Sequence, residues 1–141
     1  MKIQPRMIVT TTPGVQTPTI GTVAFDSSTG IHYLYVKAGA AITANQAVRA
    51  NTDLTDVRPT NAVSQVVLGV AIADIASGAS GWIQIDGQAT VKVVAATAAG
   101  SPLVSTATAG TLGLADATAF GGVAGVALAT GVAAGSAVYL R

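Results

Sequence analysis

The residues best placed to do chemistry are Asp26, Ser27, Ser28 and His32, which crowd into seven positions around the chain's single histidine. A serine, an imidazole and a carboxylate can together activate a nucleophile, the histidine taking the hydroxyl proton while the acid fixes its tautomer. These four fall on an Asp-Ser-Ser-Thr-Gly stretch between two apolar runs, where Asp and Ser serve turn hydrogen bonds. No Gly-x-Ser-x-Gly elbow accompanies them. We read them as a turn beside a half-exposed strand histidine and expect no catalytic residue. One histidine and no cysteine rule out multi-histidine zinc sites, thiolate metal sites and disulfides.

Asn51-Thr-Asp-Leu-Thr-Asp56 offers oxygens of the kind calcium takes, without the alternating carboxylates and fixed glycine of a calcium loop. Polar turn chemistry accounts for it, and no metal or cofactor is expected. The glycine-rich stretches 77–81 and 121–125 contain neither Gly-Lys-Ser/Thr nor a dinucleotide fingerprint, and read as turns. Tyr33 and Tyr35, two apart, share one strand face. That face is either core or, with Trp82, a platform for sugars or proteins; core is the reading preferred.

Composition narrows the partners. Of 141 residues only 9% are charged, against roughly 25% in an ordinary domain. All six acids are aspartates, and the seven bases are spread without a basic stripe. Nucleic acid is therefore not an expected partner. Half the residues are hydrophobic, so part of the surface is expected to be covered by other chains. The apolar run near the N-terminus stops at Val9, too short for a signal-peptide core. Residues 117–140 carry no charge but are mostly Gly, Ala, Ser and Thr, so buried strands are expected there and no membrane span.

Positioning falls to short strands. Residues 1–20 read as an extended arm, in which Pro5, Pro13 and Pro18 disfavour helix and the threonine runs favour extended backbone. From residue 21 onward a single β-rich domain is expected. Ile20 to Phe25 and Ile31 to Val36 read as one hairpin. Trp82 to Ile85 and Gln88 to Val94, joined by Asp86-Gly87, read as the clearest one, because Asp-Gly suits a tight two-residue turn. Val66 to Ala73 and Val123 to Ala129 are further strand runs. Only Leu114 to Phe120 could form a short helix. Gly69-Val-Ala-Ile-Ala73 returns as Gly125-Val-Ala-Leu-Ala129, 56 residues later, and Ala40 to Val48 aligns with Ala96 to Val104 at the same offset. Two similar units, about 36–85 and 92–141, are thus expected to pack into one small all-β barrel or sandwich.

These segments, in this order, resemble the capsid decoration (cement, head-stabilising) proteins of tailed bacteriophages. The resemblance runs through Leu68-Gly-Val-Ala-Ile-Ala73, the turn from Gly78 to Gly81, and Trp82-Ile-Gln-Ile-Asp-Gly-Gln-Ala-Thr-Val91. It continues through Ala98-Ala-Gly-Ser-Pro-Leu-Val104 and Val123-Ala-Gly-Val-Ala-Leu128 to Val138-Tyr-Leu140. Segment 67–93 is also similar to the strand–turn–strand core of the lambda-type decoration protein. The resemblance implies a non-enzymatic virion protein on the outer capsid surface, assembled in the host bacterial cytoplasm. It implies self-association, commonly as a homotrimer, and the phage major capsid protein as partner. No family residue carries over individually. Capsid attachment is instead expected of the arm, through Lys2, Ile3, Gln4, Pro5, Arg6, Met7, Ile8, Val9, Pro13 and Pro18. A tail, fibre or spike component and a carbohydrate-binding module are the alternatives.

Overall fold

In a computed structural model of the chain, the residues described are 4–5, 18–63, 65–94, 98–114, 124–127 and 135–140. They form twelve strands and no helix. The first seven are β1 (Gln4–Pro5), β2 (Val23–Asp26), β3 (Ile31–Lys37), β4 (Ala47–Ala50), β5 (Val57–Pro59), β6 (Gly69–Ala71) and β7 (Ser80–Gln84). The remaining five are β8 (Gly87–Val91), β9 (Pro102–Ser105), β10 (Leu112–Leu114), β11 (Gly125–Ala127) and β12 (Ser136–Leu140). Leu114 ends a strand, and the rest of the expected short helix lies outside the described residues.

The strands make two antiparallel sheets, ordered β1-β2-β3-β7-β6-β4-β5 and β10-β9-β11-β12-β8. The chain is all-β, and neither sheet closes into a barrel, so that alternative falls. The run β3-β7-β6-β4-β5 and the run β8-β12-β11-β9-β10 follow one path, with Gly69–Ala71 and Gly125–Ala127 as the third strand of each. A single parallel bridge brings the end of β3 near the far strand in one run, at Ala38 and Val57. Val93 and Leu112 make the same bridge after β8. The three prolines inside strands sit where a missing N–H does little harm: Pro5 ends the edge strand β1, Pro59 ends the edge strand β5, and Pro102 opens β9.

Side-chain alternation splits the interior in two. Ala47 and Val70 point toward the five-stranded sheet and join Val91, Leu103, Leu112, Val138 and Leu140 in one core. Their neighbours Val48 and Ala71 point the other way, into a second core with Leu34, Val36, Val57 and Ile83. Connecting segments supply Ile42 and Ile75, themselves bridged, to cover that second core. The seven-stranded sheet is thus packed on both faces, which explains its unbroken apolar runs.

The first hairpin is present: β2 and β3 pair from Val23 opposite Leu34 to Asp26 opposite Ile31. The second expected hairpin is not. β7 pairs with β3 on one side and β6 on the other, so no edge is left for β8, which pairs with β12 in the other sheet. Gly87 does adopt φ +76°, as an Asp-Gly turn suggests. The turn it makes carries the chain from one sheet to the next.

Candidate functional site

A cleft of about 860 Å³ opens where the β2–β3 turn, the β7–β8 crossing and the β8/β12 edge meet. Its acidic side is built by the Asp26-to-Gly30 turn. Asp26 Oδ1 accepts hydrogen bonds from the Ser28 amide (2.9 Å) and the Ser28 hydroxyl (2.6 Å). The Asp26 carbonyl accepts from the Gly30 amide at 2.7 Å, and Gly30 at φ +76° closes the turn. The carboxylate is fully buried, and among the described residues Oδ2 has no partner in good hydrogen-bond geometry.

The opposite side is set by Asp86. Its Oδ1 accepts from the His32 amide at 2.7 Å, and its Oδ2 lies 2.7 Å from His32 Nδ1. This clip ties the start of β3 to the crossing between sheets, and the Phe25 ring packs on the imidazole with centroids 5.0 Å apart. Gln84 spans the same crossing, its Nε2 donating to the Asp86 carbonyl (2.8 Å) and the Gln88 carbonyl (2.7 Å). Between the two acids lies Tyr33, buried and paired across the sheet with Gln84. Ile31, Ala89, Leu140 and the exposed Tyr139 complete the wall.

The hydrogen bond from the Ser28 hydroxyl, ahead of the opposing effect of burial, holds Asp26 below the ordinary aspartate range. Burial, then the charges of Asp26 and Asp86, push the Tyr33 phenol up, so it stays protonated at neutral pH. Asp53 is lowered chiefly by the Thr55 hydroxyl, and Asp56 chiefly by Arg58 and then Asn51. A carboxylate whose folded value is depressed stabilises the fold above its unfolded value, and that contribution is lost as pH falls through the folded value. With no glutamate in the chain, these three aspartates should keep their full contribution from neutral pH to about 4 and lose it below. Thermal unfolding followed across this range checks the expectation; a decline beginning near pH 6 would contradict it.

The residues grouped by sequence separate into different tasks. Ser28 serves the Asp26 turn, while His32 reaches Asp86, 54 residues away. The Asp53 and Asp56 carboxylates are engaged within their own loop by Thr55 and by Asn51 and Arg58. Tyr33 is core, whereas Tyr35 and Trp82 are half-buried and pack edge to face, centroids 5.0 Å apart at 61°. That pair presents no flat double platform for a sugar. Of the arm, Gln4 and Pro5 pair with Phe25 and Ala24 at the sheet edge, and Pro18 is half-buried. Lys2, Ile3, Arg6, Met7, Ile8, Val9 and Pro13 lie outside the described residues. Among the described residues no helix is long and apolar enough to cross a membrane.

Sequence reasoning missed the cleft because its two acids lie far apart in the chain. The one signal was Asp86-Gly87, which was read as a turn only. No protein-family model matches the chain, and no curated protein sequence does. Among solved structures, the fold is similar to the N base of the head fiber gp8.5 of bacteriophage phi29. The TM-score is 0.60 at 16% identity, covering 79% of this chain and 94% of that one. What this chain shares with that head fiber base is its fold.

Proposed function

We propose that this chain is a structural protein of a phage virion, seated on the outer surface of the head, where it braces the shell by bridging neighbouring capsomers. The observation that carries the reading is the fold likeness to a phage head fiber base, which takes in nearly all of that base. The charge-poor, apolar composition supports it, since many copies held in a lattice cover surface that a free monomer would expose. Capsid attachment is assigned to the arm, where main-chain pairing at a sheet edge supplies affinity without a special side chain, and self-association to the apolar β faces. β1 already adds two residues of the arm to the edge of the seven-stranded sheet, and the proposal has neighbouring arm residues pair with the major capsid protein. No catalytic step is assigned to the chain.

Because the similar structure is itself part of a fiber, a second reading is that the chain is the base of a projecting appendage. Copy number separates the two. In purified particles, a ratio to the major shell protein near one, or a simple fraction of it, supports the bracing role. A handful of copies per particle moves the chain to an appendage, and absence from particles removes the virion reading.

A further inference from the structure

We propose that the cleft between the two sheets binds a neutral sugar, with the Tyr139 ring as its platform and the Asp86 carboxylate as its main hydrogen-bond acceptor. Both groups line the cleft and both are open to solvent: Tyr139 is 54% exposed and the Asp86 side chain 44%. At about 860 Å³ the space is that of an ordinary small-molecule site. The binding is additional to the bracing role and does not depend on it.

The lining selects the ligand class. Among the described residues no basic side chain lines the cleft, so an anion would meet Asp86 without a compensating charge. Around Asp86 the donors are already engaged. The Ser28 hydroxyl gives its hydrogen to Asp26, and the Gln84 amide nitrogen donates to the Asp86 and Gln88 carbonyls. What remains on that side is acceptors, so the ligand must donate. Asp86 Oδ1 accepts from the His32 amide, and Oδ2 lies against His32 Nδ1. A carboxylate oxygen has two acceptor positions, which leaves one on each for two adjacent hydroxyls of a pyranose ring. The other wall decides between a sugar and a simple cation. Val138 and Leu140 point into the core, so Tyr139 between them stands on the outer face, directly opposite Gln88 and one step from Thr90. No other ring packs on it among the described residues. The weakly positive C–H face of a sugar settles on the negative face of such a ring. The exposed Gln88 and Thr90 then supply the amide and hydroxyl that bond the hydroxyls at its rim.

The test titrates the full chain with maltose, lactose and diacetylchitobiose and follows its backbone amides by NMR. At least one of the three is expected to shift the Asp86, Gln88 and Tyr139 signals with a Kd on the order of 1 mM. Tyr139→Ala should weaken that binding on the order of tenfold or more, whereas Tyr139→Phe, which keeps the ring, should stay within about twofold of the parent. Gln88→Ala, at an exposed position where the fold is not at stake, should weaken it severalfold. No shift of these three amides by any of the sugars at about 50 mM would overturn the proposal. Binding that Tyr139→Ala leaves unchanged would do the same, as would lysinamide binding more tightly than every sugar.

Discussion

Gly69→Ala and Gly125→Ala are each expected to destabilise the fold by about 3 kcal/mol, a large share of the 5–15 kcal/mol that holds a domain together. The reason is contact with backbone. A Cβ on Gly69 would sit 2.4 Å from the Gln84 carbonyl oxygen, and one on Gly125 would sit 2.5 Å from the Tyr139 carbonyl oxygen. A side-chain neighbour could rotate away, but these carbonyls belong to β7 and β12, which pair with the strands that carry the two glycines. Relief therefore requires prising one strand from the next in the middle of a sheet. Urea unfolding should show a lower midpoint with an unchanged slope for both variants. A midpoint within a few tenths of a molar of the parent would mean that the strands do not approach this closely. Since the two glycines hold matching places in the two sheets, their penalties should also be similar.

Removing residues 2–18 is expected to abolish retention on phage heads while moving the melting temperature by only a few degrees. The expected thermal effect is small because β1 contributes two residues at an edge, and β2 keeps its full pairing with β3 without it. The expected loss of binding follows from the proposed attachment, in which main-chain hydrogen bonds from the arm supply most of the affinity at each seat. Sedimentation of heads with the truncated and parent chains reads retention directly. Cosedimentation equal to that of the parent would move attachment from the arm to the sheet faces. A truncated chain that no longer unfolds cooperatively would instead make the arm part of the domain.

What the sequence disclosed depended on how local the determining contacts were. The β2–β3 hairpin was legible because its turn residues and its two partner strands are adjacent in the chain. The β7–β8 pair looked equally clear and was not a hairpin, since the partners of β7 are β3 and β6, one of them some 45 residues back. Turn chemistry reports the local backbone angle, correctly for Gly87, but says nothing of which edge is free. The weak self-similarity pointed to residues 69–71 and 125–127, whose glycines both need to be bare for strand approach. β4, β5, β9 and β10 carry too few alternating residues to announce themselves. The cleft was illegible for the same reason as the crossing: Asp26 and Asp86 come together only once two sheets exist.

Every strand pairing of the first sheet falls within residues 4–84, and every pairing of the second within 87–140. During synthesis the first sheet therefore has all its strands before the second has any. Ala47, Val70 and Tyr33 wait on a bare face until the rest of the chain emerges. At 5–20 residues per second the wait lasts roughly 3 to 11 seconds. A ribosome that stalls once β7 has cleared the exit tunnel would hold out a half-covered sheet, sticky on one side. On the proposed bracing role, which calls for many copies, the chain has good reason to be translated without pause through its second half.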